Sequence, residues 1–159
     1  MTQPRKRESR KNNAKGVNKM LKKKVVVKYQ NGNIIKGWVE DFRSDRDTFI
    51  LHPLVEFSQE ERLKINFDSL KAVFFVKDFM GDKDYKKVRT FDVDLKITPS
   101  QRKLIVIFKD GENLYGTSYS YGRYKIGFFI YPVDPKDNSD RIFVVHSAVE
   151  SVRLMKIEI

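Results

Sequence analysis

Hydrophobic and polar residues alternate along short segments of this chain, and glycine, asparagine, aspartate or proline separates most of these segments. Alternation with a period of two is typical of half-buried β-strands. The sequence also contains twelve Phe and seven Tyr, but only eight Gly and five Pro. Because aromatic and β-branched side chains suit a pleated, half-buried surface, the pattern predicts an all-β protein.

The order of these segments occurs twice. Residues 25–80 align with residues 104–159 without a gap after a shift of 79 positions, and eight of the 56 aligned pairs are identical. The dipeptide Asn31-Gly32 aligns with Asp110-Gly111, and each predicts a two-residue hairpin turn with positive φ. The repeat therefore predicts two copies of one structural unit.

Each copy contains about five strand-like segments. Gly37 and Gly116 lie inside the second segment, where glycine indicates a bend or a bulge, and Pro53 and Pro132 end the third. Five short strands are typical of small barrels, so we expect two tandem five-stranded barrels. The predicted divisions are a disordered basic tail at 1–23, a first barrel at 24–77, a connector at 78–103 with one extra strand at 92–97, and a second barrel at 104–159.

The net charge of +11 is distributed unevenly along the chain. Residues 1–24 contain ten basic residues and one acidic residue, which gives +9, whereas the 22 basic and 20 acidic residues of 25–159 give +2. A segment with this charge and few apolar residues cannot bury enough surface to offset its ordering entropy. Counterion release makes it a candidate nucleic-acid tether, and a solubilising role is the alternative. Its candidate nucleic-acid-binding residues are Arg5, Lys6, Arg7, Arg10, Lys11, Lys22, Lys23 and Lys24.

A second candidate surface is the tyrosine-rich stretch at 115–125. If this stretch is a strand that ends in a loop, alternate tyrosines share one face and the basic residues follow in the loop. Such a face can stack bases beside phosphate contacts, which makes Tyr119, Tyr121, Arg123 and Lys125 candidate nucleic-acid-binding residues. The alternative is burial between the copies or against another subunit, since aromatic residues dominate such contacts. The candidate interface residues are Trp38, Phe42 and Tyr115.

Two stretches resemble known small barrels. Residues 25–37 are similar to the first Sm motif, and residues 65–75 resemble the second in their apolar spacing. The predicted barrels are therefore Sm-like or SH3-like. The RNA-contacting signatures of Sm proteins and of the bacterial Sm-like RNA chaperone do not occur in either copy, so the resemblance implies the fold and not the RNA site.

The chain also resembles an uncharacterised bacterial family in which a run similar to residues 71–79 recurs. Relatives of this kind sometimes sit beside PilZ cyclic-dinucleotide receptors. The resemblance implies a regulatory or adaptor role and assigns no site residue.

Residues suited to catalysis or metal binding are few. The chain has no Cys, and His52 and His146 align with the aromatic positions Tyr131 and Phe67. The aspartate clusters are typical of turns rather than of calcium loops, and no phosphate-binding glycine loop occurs. We therefore expect no enzymatic activity, no metal and no cofactor.

The expected protein is cytoplasmic and does not insert into membranes, because no apolar run is long enough to cross a bilayer and the N-terminus is charged throughout. The leading hypothesis is a non-catalytic binding or adaptor protein that attaches to nucleic acid, RNA above all. The alternatives are a protein-interaction module in a regulatory or envelope-associated machine and a cyclic-dinucleotide receptor. The oligomeric state and the choice of Met1 or Met20 as the start stay open.

Overall fold

The computed structural model describes residues 22–54, 62–81 and 101–155, which form strands and two short 3-10 helices. The first copy contains β1 (Lys23–Tyr29), β2 (Ile34–Val39), β3 (Thr48–Pro53), β4 (Leu63–Asn66), a 3-10 helix (Phe67–Ser69) and β5 (Leu70–Val76). The second copy contains β6 (Arg102–Phe108), β7 (Asn113–Ser118), β8 (Gly127–Pro132), β9 (Ser139–Val145), a 3-10 helix (His146–Ala148) and β10 (Val149–Met155). The all-β prediction is confirmed.

The predicted repeat is also confirmed by these boundaries. Each element of the first copy lies 79 residues before its counterpart, except that β9 begins earlier than the counterpart of β4 would. The predicted strand at 92–97 and the tail up to residue 21 lie outside the described residues. No helix in the described part of the chain has the length and apolar character needed to cross a membrane.

The hairpin turns differ in one respect from the prediction. Only the glycine of each dipeptide has positive φ, +94° at both Gly32 and Gly111. The amide of Tyr29 donates to the carbonyl of Asn33 at 2.9 Å, so three residues rather than two form the loop. A three-residue hairpin loop needs one left-handed residue at its end, which explains why glycine recurs there while its neighbour changes from Asn31 to Asp110.

The ten strands form one open antiparallel sheet rather than two separately closed barrels. The strand order is β10-β6-β7-β8-β9-β5-β1-β2-β3-β4, so each copy contributes five adjacent strands. The copies are joined where β5 of the first pairs with β9 of the second, with Ala72 opposite Val144 and Phe74 opposite Ile142. β5 thus pairs with β9 instead of with β4, and β9 pairs with β5 instead of with β10, so neither five-stranded unit closes into a barrel.

The sheet covers two hydrophobic cores, and each core takes residues from both copies. The first core consists mainly of first-copy side chains but includes Phe143 and Val145 of β9. The second core includes Ala72, Phe74 and Val76 of β5. Side chains alternate between the faces of a strand, so the two joined strands each supply both cores. All seven residues of β5 are consequently buried.

Candidate functional site

The predicted basic tail meets the described structure at β1. Arg5, Lys6, Arg7, Arg10 and Lys11 lie outside the described residues. Lys22 forms an ion pair with Glu40 (Nζ to Oε1, 3.4 Å), while Lys23 and Lys24 are exposed at the start of β1. The described chain therefore begins at the end of the β1–β2 pair where Lys23 and Lys24 lie opposite Val39 and Trp38.

An aromatic and basic surface lies beside this end of the β1–β2 pair. The rings of Trp38 and Phe79 pack edge to face with centroids 5.1 Å apart, and the Lys36 ammonium donates to the Phe79 carbonyl at 2.7 Å. The Lys24 ammonium lies 5.7 Å from the Phe79 ring centroid. These four residues form the Trp38 patch. Trp38, predicted as an interface residue, thus packs on the segment that follows β5 in its own copy.

Phe42 packs inside the molecule instead of presenting an open face. Its ring centroid lies between 5.1 and 6.0 Å from those of five other phenylalanines. Two of these, Phe129 and Phe143, belong to the second copy, so Phe42 contributes to the packing between the copies. Its counterpart Tyr121 packs on Phe128 within the second copy, at 5.0 Å.

The expected face of alternating tyrosines does not form, because β7 ends at Ser118. The Ser118 hydroxyl donates to the carbonyl of Phe129 at 2.6 Å and accepts from the amides of Ser120 and Tyr121 at 3.2 and 3.1 Å. These hydrogen bonds turn the chain away from the strand direction. Tyr115 stays on β7, where it is half-buried beside a shallow groove that Phe74 also lines.

The residues after this turn form an exposed loop, the tyrosine loop, at 119–125. Tyr119 and Tyr124 are 45% and 44% exposed, and Arg123 and Lys125 are exposed between and after them. The Tyr119 ring packs edge to face on Tyr131 with centroids 5.9 Å apart. The loop therefore presents two aromatic rings and two cationic side chains and contains no acidic residue.

Local contacts hold the tyrosine loop in place. The Arg123 amide donates to the Ser120 carbonyl at 3.0 Å, and Gly122 supplies the positive φ of +85° that this turn requires. The His146 ring nitrogen Nε2 lies 3.2 Å from the Tyr124 carbonyl oxygen. Tyr124 was missed as a site residue when only alternate positions were considered. The sequence feature that indicates Tyr124 is its position between two basic residues, Arg123 and Lys125.

The equivalent loop of the first copy, residues 40–46, carries three acidic residues beside its two arginines. Arg43 donates to both carboxylate oxygens of Asp45, at 3.1 and 3.0 Å, and the hydrogen bond from Arg43 lowers the pKa of Asp45. Arg46 forms an ion pair with Asp41 at 3.6 Å. Both arginines are thus neutralised by neighbouring carboxylates. The two copies thus differ in the charge of these loops.

The two histidines lie in separate copies and contact their own surroundings. His52 lies 3.7 Å from Glu40 (Nε2 to Oε1), and the His146 ring packs on Phe128 with centroids 5.3 Å apart. His52 thus contacts an acidic residue and His146 contacts an aromatic residue, each within its own copy.

The fold and the loop together define an all-β protein with a tandem repeat and one aromatic, cationic surface loop. The model of a family of unknown function, DUF6982, matches residues 21–156. The chain belongs to this family. No curated protein and no solved structure matches the chain.

Proposed function

We propose that the protein is a non-catalytic nucleic-acid-binding protein whose target is single-stranded, with RNA as the favoured polymer. The observation that supports this proposal best is the tyrosine loop, in which exposed Tyr119 and Tyr124 stand beside exposed Arg123 and Lys125. Aromatic rings that stack bases beside cations that contact phosphates are the usual means of binding single strands.

The basic tail adds a second, less specific contribution. Its charge of +9 attracts the phosphate backbone and releases counterions on binding. The Trp38 patch, with Lys24 and Lys36 beside a half-buried indole, lies at the first residues of β1, which follow the tail in sequence. The tail therefore supplies most of the salt-dependent affinity, and the loop supplies the stacking that distinguishes an unpaired strand from a duplex.

The choice of RNA over DNA rests on the Sm-like order of the strand segments, which remains a prediction. That resemblance supplies no RNA-contacting residue, so the proposed contacts are those of the tyrosine loop and the tail. The adaptor role beside a PilZ receptor is likewise a prediction from resemblance. Binding of a cyclic dinucleotide would appear as a ligand-induced rise in melting temperature. We rank it below the polymer because the described loop offers an open surface rather than an enclosed site.

The test measures binding of a fluorescent uridine homopolymer and its thymidine counterpart by anisotropy over a range of salt concentrations. Tyr119→Ala and Tyr124→Ala should each weaken binding by about 5- to 150-fold with an unchanged salt slope, because stacking is worth about 1–3 kcal/mol per base. Arg123→Ala and Lys125→Ala should each reduce the salt slope by about 1. Removing residues 1–21, which precede β1, should reduce the slope further.

The matched controls are Arg43→Ala and Arg46→Ala in the equivalent loop of the first copy, where carboxylates already neutralise both side chains. They should leave binding unchanged. Absence of binding by the full chain at low salt would overturn the proposal. Wild-type binding by all four loop variants would assign any binding to the tail alone.

A protein-interaction module is the second candidate, and the apolar residues exposed at both ends of the sheet favour it. In this case the near-neutral body carries the specificity. Pull-down with the chain that lacks residues 1–21 should then recover an undiminished set of partners.

A further inference from the structure

The junction between the two copies shows how one unit of this fold joins another. β5 pairs with β9 in an antiparallel register that places Val73 opposite Phe143 and Phe75 opposite Arg141. The Arg141 guanidinium lies 4.5 Å from the Phe75 ring and 4.4 Å from the Phe129 ring, and these two rings are 6.0 Å apart. At the junction, the strand pair is thus accompanied by two aromatic rings that pack against one guanidinium group.

The two ends of the sheet carry the counterparts of the joined strands. By the repeat, β4 is the counterpart of β9 and β10 is the counterpart of β5. Among the described strands, β4 and β10 are the outermost members of the sheet. The strand at one end of the sheet, β10, therefore resembles β5, and the strand at the other end, β4, resembles the β9 strand that β5 pairs with. Exposed edge strands present backbone groups for pairing.

Some of the exposed apolar side chains lie near the same two ends. In the first copy, Ile50 and Leu54 are exposed, whereas their counterparts Phe129 and Val133 lie at the internal junction, beside Phe75 and Phe74. In the second copy, Leu154 and Met155 are exposed on β10, whereas their counterparts Phe75 and Val76 are buried against β9. The residues that the junction covers internally are thus left uncovered at the ends.

From these relationships we infer that β10 of one chain pairs with β4 of a second copy of the same chain, in the register of the internal junction. Arg153 then lies opposite Leu63, Val152 opposite Lys64, and Leu154 approaches Ile50 as Phe75 approaches Phe129. The two surfaces differ, so the association is head to tail and each added chain leaves a free end until a ring closes. The inference is independent of nucleic-acid binding.

The charges at the ends are compatible with this contact. Internally, Lys71 contacts Asp110 and Glu112. At the ends, Glu150 replaces Lys71 while Asn31 and Asn33 replace the two acids, so no like charges meet at these positions. Arg62 keeps the position of Arg141.

The ends also contain polar substitutions that weaken the contact relative to the internal junction. Lys64 stands where β9 has Phe143, and Arg153 stands where β5 has Phe74. Charged residues on edge strands limit uncontrolled pairing. The association is therefore reversible and depends on protein concentration.

The test uses the full chain in the absence of nucleic acid. Sedimentation equilibrium should show an average mass that rises with protein concentration. Ile50→Asp and Leu154→Asp, at exposed positions, should each return the mass to that of the monomer without changing the circular dichroism spectrum. A monomer mass at every concentration up to the solubility limit would overturn the inference and leave the edges to a different partner.

The register is tested by disulfide trapping, which the absence of cysteine in the chain makes unambiguous. A chain with Leu63→Cys and Arg153→Cys should form intermolecular disulfides on oxidation, because directly opposite residues lie within disulfide range. In the control chain, Lys64→Cys replaces Leu63→Cys and points to the other face of the strand. Equal rates of cross-linking in the two chains would contradict the proposed register.

Discussion

The ammonium nitrogen of Lys71 lies 2.7 Å from a carboxylate oxygen of Asp110, so an ion pair joins the two copies of the repeat. The same ammonium lies 3.0 Å from Glu112 and 4.7 Å from the Phe108 ring centroid. Burial disfavours the charge on Lys71, but the hydrogen bonds to Asp110 and Glu112 outweigh burial and raise the pKa of Lys71. The Lys71 ammonium of the first copy is thus paired with carboxylates from the hairpin of the second.

A double-mutant cycle of Lys71→Met and Asp110→Asn should give a coupling energy of about 0.5–1 kcal/mol, measured by urea unfolding. The value is modest because solvent reaches half of the Asp110 side chain and screens the pair. Lys77→Met with Asp140→Asn is the matched control, since this pair also joins the copies but is longer, at 3.7 Å, and more exposed. Equal coupling in the two cycles would contradict a specific role for Lys71.

Asp110 should make stability depend on pH in the acid range. The hydrogen bond from Lys71, followed by that from the Glu112 amide, lowers the pKa of Asp110 below its usual 3.8. The folded state therefore favours the ionised carboxylate, and this stabilisation is present above pH 3.8 and disappears as pH falls through the lowered folded pKa. The stability difference between the wild type and Asp110→Asn should shrink over that range in urea titrations. A constant difference would refute the linkage.

Phe143 should be important for the stability of both copies, because it lies on β9 of the second copy and packs in the first core. Phe143→Ala should lower the free energy of unfolding by about 3–5 kcal/mol, and Phe143→Leu should cost less and preserve the fold. Trp38, the single tryptophan, reports on the first copy by fluorescence, while circular dichroism reports on the whole sheet. The two probes should give coincident transitions in the Leu variant. Separate midpoints would show that the copies unfold independently.

Gly37 and Gly116 should not tolerate alanine. A Cβ atom at Gly37 would contact the His52 carbonyl oxygen, and one at Gly116 would contact the Tyr131 carbonyl oxygen. Both neighbours are backbone atoms that cannot rotate away, so each substitution should cost about 1–3 kcal/mol in thermal or urea unfolding. Lys23→Ala, at an exposed strand position, is the control and should change stability little.

The sequence predicted the local structure well because local structure depends on local patterns. Alternation predicted the strands, and Gly32 and Gly111 marked the hairpins because only glycine adopts positive φ there without strain. The repeat then transferred each assignment from one copy to the other. The end of β7 was misplaced because the hydrogen bonds of Ser118 to Phe129, Ser120 and Tyr121 stop a strand whose alternation continues in the sequence.

The joining of the copies could not be predicted in this way. The sequence pattern predicts that β5 and β9 are strands, but it does not show which strands become neighbours, since pairing depends on contacts between residues far apart in the chain. The same limit applies to Phe42 and Tyr121, which share a repeat position but have different surroundings. One packs on rings from both copies, and the other packs within the second copy.

The sequence by itself therefore determined the strand content, the turn glycines, the 79-residue repeat and the concentration of charge in the tail. Each of these features depends only on residues that are neighbours in the chain or on the repetition of such a segment. Only the tertiary structure decided that the two units share one open sheet, exchange side chains between their cores, and leave Tyr119 and Tyr124 exposed while Tyr121 packs on Phe128. The physical reason is that burial is a property of the assembled sheet. A side chain becomes a core residue or a surface residue only when a distant strand covers it or leaves it open.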